Sequence, residues 1–172
     1  MWTIEVVGLG DVPRTILDAA ATAPAAAFGM GWKERPALAE PRYAFNPSRG
    51  QHHGAAILRK IAGTRGRIGP VLGVGVLDLF VPDMPYVLAE WDRDLCAAVV
   101  GVQRLVPVSP DLVARRVGAV GIWAIGRALG LTDCEDARCP MGYPEVDNLD
   151  RRLAVPCARC QNTLGAVRER VG

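Results

Sequence analysis

Hydrophobic and polar positions fall into blocks that predict alternating strands and helices. Short runs of β-branched and apolar residues predict strands at 2–9, 26–32, near Tyr43, and at 71–81, 86–91 and 97–106. Apolar residues spaced three and four apart predict a helix that is capped by Asp11 and has Pro13 in its first turn, and further helices at 48–62, 111–129 and 161–171. This order indicates an α+β fold in which helices pack on a mixed twisted sheet.

The longest helical pattern lies at 111–129. Ser109 and Pro110 are typical start signals, and Gly130 is a typical stop. Short loops rich in Cys, Pro and Gly follow it. We therefore expect one domain over 1–172, with an N-terminal subdomain at 1–130 and a small C-terminal subdomain at 131–172.

Composition and charge exclude several classes of protein. Half of the 172 residues are hydrophobic, and the net charge is only +2. Because the arginines are scattered instead of forming one basic stripe, we expect no nucleic-acid partner. No apolar run is long enough to span a membrane and no signal peptide is apparent, so we expect no membrane partner and a cytoplasmic location. Such a reducing compartment disfavours disulfides.

Four of the five cysteines form two close pairs, Cys134-x4-Cys139 and Cys157-x2-Cys160. Two such pairs are the usual way of supplying four thiolates to a tetrahedral structural zinc ion. The spacing therefore predicts one zinc per chain, with no open position for catalysis. Two disulfides, or four unrelated buried thiols, are the alternatives. Cys96 stands apart and is interpreted as a small core residue.

The region around these cysteines resembles the archaemetzincin family of zinc metallopeptidases. The family pattern is H-E-x-x-H-x-x-G-x-x-H-C-x4-C-x-M, a loop, and C-x2-C. Here the matching residues are Gly130, the four cysteines and Met141, which would be the methionine of the family's Met-turn. Upstream segments at 71–74, 77–82, 97–100 and 104–105 are also similar to family segments. The resemblance implies a metzincin-like fold in which the long helix floors a cleft.

The catalytic positions of that pattern are changed. In chain order they hold Trp123, Ala124, Arg127 and Asp133 in place of three histidines and a glutamate. Tryptophan offers only an N–H donor, alanine accepts no proton, and arginine carries a fixed positive charge. We therefore expect no catalytic zinc, and we predict that Arg127 pairs with Asp133 while Trp123 fills the space beside them.

The chain's two histidines, His52 and His53, are predicted near the start of the helix at 48–62. Adjacent helical residues point in different directions, so they make a poor chelating pair. They are interpreted as solvent-facing or cap-region residues.

Three functional hypotheses follow. The first is an archaemetzincin-like pseudo-peptidase or peptide-binding scaffold, in which an extended peptide lies beside an edge strand at 86–91. The alternative is an active zinc-dependent metallopeptidase with non-standard ligands that include Asp133. The third is a zinc-stabilised module that contacts nucleic acid through its arginines.

Overall fold

The computed structural model describes residues 2–64, 69–106 and 109–171. The strands are β1 (Thr3–Leu9), β2 (Gly31–Leu38), β3 (Phe45–Asn46), β4 (Gln51–His53), β5 (Val71–Gly75), β6 (Leu79–Phe80), β7 (Ala89–Asp92) and β8 (Ala97–Gly101). The α-helices are α1 (Arg14–Phe28), α2 (Gly54–Ala62), α3 (Pro110–Ala128) and α4 (Ala158–Val171). Short 3-10 turns lie at Arg42–Ala44, Gln103–Leu105 and Val146–Arg151.

A five-stranded sheet of order β2-β1-β5-β8-β7 lies at the centre. The strands β2, β1, β5 and β8 are parallel, and β7 runs antiparallel to β8 at the edge. Every residue of β5 and β8 is buried, because helices cover both faces of the sheet. This explains why these strands appear in the sequence as continuous apolar runs. The predicted mixed sheet with packed helices is confirmed.

The two faces of the sheet bury separate apolar clusters. Ile4 and Val6 of β1 point toward α1 and α3, whereas Val7 and Leu9 point toward α2. Helices α1 and α3 approach closely at Gly118, where a Cβ atom would lie 2.9 Å from Cβ of Ala23. The sheet and α1 therefore hold α3 firmly against the core.

Three predicted segments near the N-terminal half are wrong. Helix α1 continues to Phe28, so the region predicted as a strand at 26–32 is mostly helix, and β2 begins only at Gly31. Pro36 lies inside β2, which is tolerated because β2 is at the edge of the sheet. Tyr43 lies in a 3-10 turn instead of a strand. Pro13, and not Asp11, precedes the first residue of α1.

The helix predicted at 48–62 begins later than expected. Residues Gln51–His53 form β4, which pairs with β3 and β6 in a small second sheet, and α2 starts at Gly54. The strand predicted at 71–81 is divided into β5 and β6, and the one at 97–106 ends at Gly101 before a 3-10 turn. Pairing of β4 with β3 and β6 accounts for the later start of α2 and for the separate strand β6, and local periodicity does not encode this pairing.

The helix predicted at 111–129 is confirmed as α3. The Oγ atom of Ser109 accepts a hydrogen bond of 3.4 Å from the amide of Leu112, which is the predicted N-cap interaction. The last helix starts at Ala158, three residues before its predicted start. Within the described residues, none of the helices is long and apolar enough to cross a membrane.

Candidate metal centre and adjoining cleft

The chain leaves α3 through a sharp turn that positions Asp133 and Cys134. Gly130 adopts φ +99°, a left-handed conformation that side-chain-bearing residues rarely take. The following residues run back along the end of α3, so that Asp133 faces the helix and Cys134 enters the core. The amide of Cys134 donates to the carbonyl of Met141 at 3.0 Å, which closes the loop between them.

The four predicted cysteines converge. Their Sγ atoms all lie within 4.8 Å of one another, and they form the metal-ligating group found in the described part of the chain. Sγ of Cys134 lies 3.7 Å from Sγ of Cys157, and Sγ of Cys139 lies 3.9 Å from Sγ of Cys160. Four sulfurs around zinc at about 2.3 Å form a tetrahedron with edges of about 3.8 Å. The geometry therefore fits a zinc ion.

The sulfur distances also decide against the disulfide alternative. A disulfide requires sulfurs about 2.05 Å apart, and no disulfide joins any two of the five cysteines, all of which the structure describes. Cys96 lies outside the group, in the turn between β7 and β8, and is partly buried against the main core. The interpretation of Cys96 as a small core residue agrees with this position.

The groups around Cys134, Cys139 and Cys160 shift the pKa values of these thiols in different directions. Burial raises the pKa of the Cys134 thiol, but hydrogen bonds from the backbone of Asp136 and from the Arg159 guanidinium outweigh it and bring the pKa to about 7. Burial raises the pKa of Cys139 and of Cys160. A bound metal ion overcomes such an increase because coordination favours the thiolate.

Met141 packs directly beneath the end of α3. Its side chain is fully buried, and a Cβ atom at Gly126 would lie only 2.6 Å from Cε of Met141. Phe28 of α1 packs against the same position. The loop that carries two of the cysteines is thus anchored under the helix at the level of Trp123 and Arg127.

The side chains at the end of α3 form one contact cluster with Asp133. Nε1 of Trp123 donates to Oδ1 of Asp133 at 2.8 Å. Nη1 of Arg127 lies 3.6 Å from the same oxygen, so the predicted ion pair is present but long. The Arg127 guanidinium lies over the ring of Trp91, 4.3 Å from its centroid. Ala124 is fully buried in the core.

This cluster borders a cleft of about 240 Å³ between α3 and the edge strand β7. The sequence analysis placed Glu90 and Trp91 in the edge strand predicted at 86–91 but assigned neither of them, nor Tyr143, as a site residue, and all three line the cleft. Burial raises the pKa of Glu90. Tyr143 packs edge-on against Trp123, with ring centroids 5.6 Å apart. A glutamate and a tryptophan at the end of the apolar run at 86–91, and a tyrosine two residues after Met141, are the signals that could have indicated them.

Polar side chains fix the opposite wall of the cleft, the loop at 81–88. Arg104 lies over the ring of Tyr86 in this loop and forms a bidentate pair with Asp78 at 2.7 and 2.8 Å. Nε2 of Gln51 donates to the carbonyl of Pro85 at 2.9 Å, and Nη2 of Arg49 donates to the carbonyl of Met84 at 2.6 Å. The wall is therefore held by β4 and by the segment that follows β8.

The two histidines lie in different surroundings. His53 is the N-cap residue of α2, in agreement with the cap-region interpretation, and it stacks on Phe80. His52 is only 8% exposed, so the solvent-facing interpretation is wrong for it. Both belong to β4 instead of a helix, and neighbouring strand residues point to opposite faces.

Several known proteins are similar to this chain. The archaemetzincin of Methanopyrus kandleri is 31% identical over 125 residues, which cover 72% of this chain and 71% of the relative. The archaemetzincin of Methanocaldococcus jannaschii is 30% identical over 88% of each chain. The crystal structure of the Methanopyrus kandleri protein has a TM-score of 0.87 at 27% identity, and the match covers 98% of this chain and 96% of that one. No family model matches the chain.

Proposed function

This chain belongs to the archaemetzincin family of zinc metallopeptidases, and we propose that within it the chain is a pseudo-peptidase that binds peptides without cleaving them. The observation that carries the proposal is the contact cluster at the end of α3. Trp123, Arg127 and Asp133 occupy family ligand positions and contact one another directly.

The donor chemistry of the cluster opposes a catalytic zinc ion. Asp133 alone offers a lone pair, and it already accepts a hydrogen bond from Trp123. A dication between Arg127 and Asp133 would lie within a few ångströms of a permanent positive charge. Ala124 stands where the family has its general-base glutamate, and alanine accepts no proton. These features support a cleft that has lost its metal.

In contrast to the cluster at the end of α3, the four-cysteine group offers donors that suit a metal ion. It therefore supports the proposal of a retained structural zinc ion. Four sulfurs with tetrahedral spacing would complete the coordination of one zinc, so this ion would stabilise the loop after α3 and the start of α4. We assign Met141 as the Met-turn residue because it packs under the end of α3. A cytoplasmic location belongs to the proposal, since a reducing compartment keeps the thiols available for zinc.

The edge strand β7 supports the peptide-binding part of the proposal. β7 lies at one side of the sheet and borders the cleft with Glu90 and Trp91. An extended peptide laid along an open edge gains backbone hydrogen bonds that do not depend on its sequence. The ligand would therefore be an extended segment that pairs with β7 and places side chains in the cleft.

The zinc content of the purified protein tests the proposal. We expect about one zinc per chain, since the four thiolates hold one ion. A matched positive control restores the family pattern with Trp123→His, Ala124→Glu, Arg127→His and Asp133→His, and this variant is expected to hold about two. About two ions in the unmodified protein, with hydrolysis of a broad peptide mixture, would instead favour an active peptidase with non-standard ligands.

A further inference from the structure

The guanidinium of Arg127 has little to bind within its own chain. It has five N–H donors, yet none of them donates a hydrogen bond to another described residue, and Nε is buried without a partner. Its charged contact is the 3.6 Å pair with Asp133, and its other contact is the face of Trp91. The Arg127 side chain is only 17% exposed, so water satisfies it poorly.

The position of the Arg127 guanidinium in the cleft is suited to contact with a bound ligand. Arg127 lines the cleft, and the ring beneath it belongs to the edge strand β7. A peptide paired with β7 would therefore pass beside the guanidinium. Stacking on Trp91 fixes the plane of the guanidinium, which favours recognition of a planar group with two oxygens.

We propose that Arg127 binds a carboxylate group of the peptide held in the cleft, an inference that rests on the proposed peptide-binding function. A carboxylate accepts two parallel hydrogen bonds from a guanidinium, which a carbonyl or hydroxyl oxygen does not. Asp133 does not fill this role, because its Oδ1 lies beyond hydrogen-bond distance from Arg127 and is bound by Trp123. Arg127 would thus supply a positive charge where the family uses a metal ion.

Binding of labelled synthetic hexapeptides, measured by fluorescence anisotropy, tests the proposal. The first pool lacks Asp and Glu and has a free C-terminal carboxylate. The second is the same pool amidated at the C-terminus. The third is amidated and contains one Asp. We expect the first or the third pool to bind about tenfold to a hundredfold more tightly than the second, the range for hydrogen bonds to a charged group.

Substitutions at Arg127 test whether this side chain causes the preference for peptides with a carboxylate. Arg127→Gln is expected to bind all three pools within about twofold of one another, because the remaining amide cannot form a charge-assisted pair. Arg127→Lys keeps the positive charge but lacks the two parallel N–H donors of the guanidinium, and its preference for a carboxylate is expected to be intermediate. The matched control is Arg115→Gln on the same helix, because Arg115 is exposed and its side chain donates to the carbonyl of Asp150, outside the cleft. It should leave the preference unchanged.

The possible outcomes separate the two proposals. Tighter binding of the first pool identifies a C-terminal carboxylate, and tighter binding of the third identifies an acidic side chain. Equal binding of all three pools by the unmodified protein would overturn the role of Arg127 while leaving peptide binding intact. Binding of none would overturn peptide binding itself and the carboxylate proposal with it.

Discussion

Replacing Cys157 with serine should remove the metal with little direct loss of packing. Cys157 is the only partly exposed member of the four-cysteine group, so Cys157→Ser leaves the core nearly unchanged. Zinc present at about a thousand times its Kd stabilises the folded state by about 4 kcal/mol. In a domain of this size each kcal/mol shifts Tm by about 2–4 °C, so we expect Tm to fall by about 8–16 °C.

The structure also predicts which part of the fold should lose stability when zinc is absent. Among the side chains described in α4, only Cys160 and Leu164 are buried. Burial of one leucine contributes about 1.5–3 kcal/mol, and an isolated helix of this length is marginal in water. Without the metal, α4 is therefore expected to open while the central sheet stays folded.

Hydrogen exchange with zinc analysis and thermal melting would check this. Amides of α4 should lose protection in Cys157→Ser, while those of β5 and β8 keep theirs. Cys96→Ser is the matched control, because Cys96 lies outside the metal group, and it should retain both zinc and α4 protection. Protection of α4 that survives the loss of zinc would refute the reasoning, since Leu164 and the helix itself would then suffice.

Three further substitutions test the packing of α3 and α4 and an ion pair on the surface of α3. Gly126→Ala should destabilise the protein by about 1–3 kcal/mol in urea unfolding, because its methyl group meets buried Met141. Gly165→Ala has open space and should stabilise α4 by about 0.5–1 kcal/mol; equal effects would contradict this account. The hydrogen bond from Arg116 lowers the pKa of Asp150, so this pair stabilises the fold above the ordinary aspartate pKa and loses its effect as pH falls through the lowered value. Asp150→Asn should cost about 0.5 kcal/mol at pH 7, a small value because Asp150 is exposed and the pair is screened by solvent. The difference should vanish in acid, and a cost that persists there would exclude the ion pair as its cause.

The predictions that succeeded rest on local signals. The Ser109 cap, the apolar periodicity of α3 and the stop at Gly130 all lie within one segment of the chain. The predictions that failed concern segments whose state depends on distant partners. Gln51–His53 becomes a strand because β3 and β6 pair with it, and Tyr43 lies in a turn beside α2. Local propensity does not encode such pairing.

The four-cysteine group and the substituted family positions follow from local features of the sequence. The spacing of the four cysteines limits how they can be arranged, and the residues at Trp123, Ala124, Arg127 and Asp133 have donor properties that do not depend on the fold. The contribution of the edge strand to the surroundings of Arg127 became visible only in the folded structure. Trp91 and Glu90 come from the edge strand, and these residues are far apart from Arg127 in sequence. They meet because the sheet and α3 pack together, and no local pattern in the sequence specifies that contact.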